Sequence, residues 1–174
     1  MSMALRLIPL VFTFAIGAAY SQGGPTDPQI AGIVVTANQI DIDAGKLAKS
    51  RSQNKEVRAF ADQMITDHTA VNKQAVALAN KLKVKPEDSD TSKSLKEGAQ
   101  KNTANLQKLK GAAFDKAYVD HEVAYHQAVL DAIDKTLIPS ARNEELKALI
   151  TKVRPAIAAH LDHAKMIQSH LGGK

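Results

Sequence analysis

The sequence predicts an all-α protein, an up-and-down bundle of four long helices plus one shorter helix. Composition is the first reason. Of 174 residues 28 are Ala, aromatics make up 4%, and Val and Ile runs are sparse, which favours helix over sheet. Periodicity is the second: from about Pro28 onward, apolar residues recur at steps of three and four. The third is the spacing of the breaks. Long periodic stretches alternate with short Pro, Gly, Asp and Ser connections, the pattern of antiparallel neighbours. At 24% charged and 44% hydrophobic residues, the chain has the composition of a folded domain rather than a disordered one.

Residues 1–21 read as a cleavable secretory signal peptide. Arg6 supplies positive charge, Leu7–Ala19 is an apolar run, and cleavage fits after Ala19 or after Ser21. The run is too short for a membrane span of about 20 residues. The mature chain is therefore expected to be periplasmic or secreted. Losing Arg6 with the leader lowers the net charge from +5 to +4. No Arg-rich run or basic patch with interleaved aromatics remains, so nucleic acid is not expected as a partner.

Residues 22–27 form a Gly/Pro-rich lead, and the bundle spans 28–171. The first helix is expected over about 28–50, with Asp27 as its cap, Pro28 in its first turn, and Ile33, Ala37, Ile40, Ala44 and Leu47 on one face. The second starts near Asn54. Its seam is Val57, Ala61, Met64, His68, Val71, Ala75, Leu78 and Leu82, and it ends before Pro86. The third, about 91–110, is a shorter, thinly apolar and largely solvated helix. Gly111 breaks the chain. A fourth helix over 112–137 carries Val119, Val123, His126, Leu130, Ile133 and Leu137, and Ile138-Pro139-Ser140 is a turn. The last runs over 142–171 through Leu146, Ile150, Val153, Ile157, His160, Ala164 and Ile167. Pro155 should kink it, and 172–174 is a tail.

Histidine stands where Leu belongs. His68, His126 and His160 occupy core seams of three long helices, each near the helix midpoint. Antiparallel midpoints share one level, and on the first helix that level holds Asp41, which flanks the seam. Buried imidazoles demand hydrogen-bond partners, water or a metal. Three imidazoles and a carboxylate suit a mononuclear transition-metal site for zinc, copper or iron. Glu122, four residues before His126, and His163, three after His160, are secondary ligand candidates. Asp67, Asn72, Asp115 and Tyr118 are candidate hydrogen-bond partners for the ligating rings. His163 and His170 lie one step off the seam and His121 on an exposed face. The competing reading is a metal-free envelope interaction or structural protein with a hydrogen-bonded His layer.

Without Cys, disulfides, thiolate metal sites and iron–sulfur clusters are excluded. Glu-x-x-His, His-Glu-x-x-His, a phosphate-cradling Gly-rich loop and Gly-x-Ser-x-Gly do not occur. No catalytic motif is present, although oxidoreductase or zinc-hydrolase chemistry stays open.

The stretches Phe60-Ala61-Asp62-Gln63-Met64-Ile65-Thr66-Asp67-His68-Thr69 and Phe114-Asp115-Lys116-Ala117-Tyr118…His126 resemble the DUF4142 family. So does His160-Leu161-Asp162-His163-Ala164 after Pro155. The resemblance covers about Pro28 to Gln168. It implies an exported bacterial, ferritin-like helical bundle and carries no established activity, so a role in metal binding or envelope stress protection rests on the residues. His68, His126 and His160 fall on the family's characteristic His positions. The family usually has Glu where this chain has Asp41 and Asp43, and the shorter Asp reaches less far as a fourth ligand.

Overall fold

The structure is a computed structural model and describes residues 23–173. The expected signal peptide and its cleavage site lie outside the described residues. Among those described, every regular element is helical. Helix α1 spans Asp27–Arg51, α2 Lys55–Leu82, α3 Asp90–Leu106 and α4 Gly111–Ala132. A π-helical segment, Ile133–Leu137, and the three-residue α5, Ile138–Ser140, prolong α4, and α6 spans Glu144–Gly172.

The ends follow local chemistry, with one correction. Thr26, not Asp27, caps α1, in a capping box with Gln29. Asp27 is used elsewhere: its carboxylate accepts the backbone N–H groups of Arg142 (2.9 Å) and Asn143 (3.0 Å), tying the start of α1 to the start of α6. Asn54 and Asn143 cap α2 and α6 through their side-chain oxygens. Lys83 ends α2 in the left-handed conformation (φ 54°), and Gly111 takes the same region (φ 55°) at the break before α4. α6 continues unbroken through Pro155, which is exposed.

The expected turn at Ile138-Pro139-Ser140 is instead helical. Pro139 has no N–H to close an α turn, and its ring crowds the carbonyl four residues earlier. The chain responds by widening ahead of it, so that the Ile138 N–H reaches the Ile133 carbonyl, five residues back. Ile133 and Leu137 both remain in the core.

Contacts between helix ends give the topology. Glu56 in the first turn of α2 meets His170 near the end of α6, and Lys81 at the other end of α2 pairs with Glu145. Asp120 of α4 accepts from Gln168 of α6, and Asp134 just after α4 pairs with Arg154. α2 and α4 are thus antiparallel to α6. α3 runs beside α1 from its start, where the Glu87 N–H bonds the Pro28 carbonyl, to its end, where Arg51 donates to the Gln107 and Leu109 carbonyls. The expected shorter, largely solvated helix is thus α3, and it is a crossover that returns the chain along the bundle. This makes α2 and α4 parallel to each other and diagonal in the bundle.

The core has two apolar clusters. Ala48, Val57, Phe60, Met64, Leu106, Phe114, Tyr118 and Ile167 fill one end. Ile30, Ile33, Leu130, Ile133, Ile150 and Leu161 fill the other. Between them lies a polar layer.

Candidate metal centre

Each helix of the four-membered core contributes to this layer near its middle: Asn38 and Asp41 from α1, His68 from α2, Glu122 and His126 from α4, and His160 from α6. All six side chains are buried. A fully buried aliphatic side chain contributes about 1.5–3 kcal/mol, so six polar groups in its place forfeit several such contributions. Packing does not explain the layer.

The three rings meet. Their centroids are 5.2 Å (His68–His160), 5.5 Å (His126–His160) and 5.7 Å (His68–His126) apart. One ring nitrogen from each lies within 4.8 Å of the other two. Zn–N bonds of about 2.0–2.1 Å place tetrahedral ligands about 3.4 Å apart, so ring adjustments of little more than an ångström close the set on one ion.

Hydrogen bonds decide which nitrogens face inward. The Asn38 amide donates to the Val34 carbonyl (2.7 Å), which turns its Oδ1 toward His68 Nδ1 at 2.8 Å. His126 Nδ1 donates to the Glu122 carbonyl (3.0 Å), and His160 Nε2 donates to Asp67 Oδ2 (2.9 Å). Each ring thereby keeps its hydrogen on the outer nitrogen. The remaining nitrogens, His68 Nε2, His126 Nε2 and His160 Nδ1, are buried and have no partner among the described residues. They are lone-pair acceptors.

Two carboxyls adjoin the rings. Asp41 Oδ2 is 3.5 Å from His68 Nε2, and Asp41, Glu122 and His126 form a second group with ligand atoms within 4.8 Å of one another. Glu122 Oε2 lies 3.5 Å from His126 Nδ1. Burial pushes the Asp41 carboxyl well above the usual carboxylate range, and the adjacent Glu122 adds to the shift. Burial likewise raises Glu122, to about 8. Desolvation lowers His68 to about 3 and His126 to about 4, with neighbouring rings adding to the effect. The metal-free centre thus holds His68 and His126 as neutral imidazoles and Asp41 and Glu122 as protonated carboxyls, the carboxyls ready to ionise when a cation compensates them.

Of the residues expected here, His68, His126, His160, Asp41 and Glu122 come together. His163 does not: it bonds Gln63 Oε1 (3.0 Å) and packs edge-on against Phe60. Asp67 accepts from His160. Asn72, Asp115 and Tyr118 make no hydrogen bond to the three rings, and each keeps a buried oxygen without a partner. His121 is half-buried against Tyr125 rather than exposed. On α1, Ile33 and Ala44 of the expected face are buried, but the rest of that face is shifted by one residue. Asn38, Asp41 and Ala48 are buried where Ala37, Ile40 and Leu47 are only half-buried, because α1 turns its polar pair into the layer. Asn38, which orients His68, was not anticipated; its only sequence signal is its place one turn before Asp41.

A family model described as "Domain of unknown function (DUF4142)" matches residues 15–167. The chain belongs to the DUF4142 family. No curated protein and no solved structure matches it. For this DUF4142 chain, function has to be argued from the centre itself.

Proposed function

We propose that this DUF4142 protein binds one transition-metal ion through His68, His126 and His160, with Asp41 as fourth ligand and Glu122 beside it. One observation carries the reading: three buried imidazole nitrogens converge, and none takes part in a hydrogen bond among the described residues. A water molecule has two hydrogens and cannot by itself serve all three nitrogens, whereas a cation serves all three and Asp41 together. Nitrogen and oxygen ligands suit zinc, copper or iron. The outer hydrogen bonds from Asn38, Asp67 and the Glu122 carbonyl hold the rings for it. The leader-like residues 1–21 support export, and the protein would handle or sequester metal in the envelope, including under metal or oxidative stress.

Elemental analysis of protein recovered from the periplasm tests this, alongside the triple variant His68→Ala/His126→Ala/His160→Ala. The expected result is near-stoichiometric metal in the natural chain and none above background in the variant. Equal metal content in the two would end the metal reading. Recovery only from the cytoplasm, with residues 1–21 intact, would end the export reading.

A further inference from the structure

An apolar cleft of about 120 Å³ opens beside the polar layer. Its wall is hydrocarbon from α1 (Ile33, Val34), α4 (Val129, Ala132) and α6 (Ile150, Ile157), with Tyr125 alongside. The polar layer interrupts it at one place, where Asn38, Asp41 and His68 form the wall. Asp41 and His68 are two of the proposed ligands. Whatever occupies the cleft therefore touches the centre on one side and mostly hydrocarbon on the others.

Two further segments shape this space. The π segment contributes Ile133 and Leu137 to the wall, and π turns within helices recur at functional sites. The first turns of α3 contribute Thr91 and Leu95. α3 is otherwise mostly exposed and is located by the loop ahead of it. Glu87 lies so close to α1 that a Cβ on Gly32 would collide with its carbonyl oxygen, and its N–H bonds the Pro28 carbonyl at 3.0 Å. The crossover helix is thus pinned where it covers the cleft.

The geometry points to a binding site for a small, uncharged, apolar molecule, a gas or a hydrocarbon no larger than benzene, held against the Asp41–His68 side of the metal centre. Size and lining carry this. Apolar cavities of about 150 Å³ stay dry and take up benzene or xenon, since water inside would lack partners. Apart from the two ligands, no ionisable side chain among the described residues other than the Tyr125 phenol lines the cleft, and that hydroxyl is committed to the Ala37 carbonyl at 3.2 Å. A charged substrate would find no ionisable partner except the centre. The occupancy of the cleft is independent of the metal; only its placement against the ion rests on the proposed function.

Benzene and xenon are titrated into the metal-free full chain, following methyl NMR signals of Ile33, Ile133, Ile150 and Ile157. Saturable shifts confined to these groups are expected, weakened at least tenfold in Ala132→Leu and in Ala37→Leu, each checked for a native thermal transition. Xenon binding without benzene binding narrows the class to gases. Absence of saturation with both probes, or equal binding in two folded cleft-filling variants, overturns the proposal. The chain is then loaded with Co(II) or Zn(II), with loading verified by metal analysis. Faster relaxation of bound benzene protons or xenon with Co(II) than with Zn(II) is expected. Binding without that difference in a loaded protein overturns the placement. Failure of either ion to load overturns the metal reading and leaves the metal-free result to judge the cleft.

Discussion

Asn38→Ala isolates the contribution of a residue that touches no metal. In the natural chain the Asn38 side chain bridges the Val34 carbonyl and His68 Nδ1, at 2.7 and 2.8 Å. Truncation leaves the Val34 carbonyl its helical partner but removes the only acceptor of the His68 N–H. A buried donor left unpaired costs about 1–3 kcal/mol. The ring is then free to rotate or to move its hydrogen to Nε2, the nitrogen that faces Asp41 at 3.5 Å. Losing such an outer hydrogen bond typically lowers metal affinity 10–100-fold, or about 1.4–2.7 kcal/mol. Competition of the protein against a calibrated chelator for Zn(II) reads this directly, and urea denaturation of the metal-free form reads the stability cost. Asn38→Asp is the companion: its carboxylate accepts the same N–H, so affinity should stay within a few fold of natural. If Asn38→Ala binds zinc as tightly as the natural chain, His68 is not a ligand oriented in this way, and the tautomer argument fails.

Three further outcomes are expected. In the metal-free protein, His68 and His126 titrate at about 3 and 4 against about 6.5 when unfolded. Their contribution is full above pH 6.5 and is lost on acidification, about 2 kcal/mol each by pH 5. Asp41 and Glu122 act in the opposite sense. Being held protonated, Glu122 up to about 8, they contribute stability that is full below about pH 4.5 and lost as pH rises. The metal-free urea midpoint should therefore fall from pH 6.5 to 8 while the metal-loaded midpoint rises; a metal-free rise would contradict the protonated carboxyl pair. Gly32→Ala drives a methyl against the Glu87 carbonyl and should cost about 1–3 kcal/mol, seen as a lower thermal midpoint; an unchanged midpoint would mean that the loop is not pinned. His163→Gln should leave metal content unchanged, because His163 is engaged with Gln63; depletion of metal in that variant would return it to the ligand set.

The centre was legible where an anomaly broke a strong pattern. The seams of α2, α4 and α6 are otherwise aliphatic, so His68, His126 and His160 stood out against them, and their midpoint positions placed them at one level. α1 was harder. Its Ala- and Gly-rich sequence offers weak contrast between faces, and the apolar reading followed Ala37 and Ile40 instead of Asn38 and Asp41. The hydrogen-bond partners divided similarly. Asp67 adjoins His68 in sequence yet serves His160 across the bundle, and Asn38 serves a ring 30 positions away. Such pairings depend on helix rotation, which local spacing does not encode.

The sequence by itself determined that this protein is helical, roughly where each helix starts and stops, and which three imidazoles belong inside. Those properties follow from 3.6-residue periodicity, capping side chains and Pro and Gly breaks, all local along the chain. Only the tertiary structure decided that α3 crosses the bundle beside α1 and that Pro139 widens the chain into a π turn rather than ending it. It alone turned the rings' free nitrogens toward one another and opened an apolar cleft against Asp41 and His68. Each depends on how rigid helices rotate and seat against one another, where the balance between burying hydrocarbon and satisfying polar groups is struck across the whole bundle.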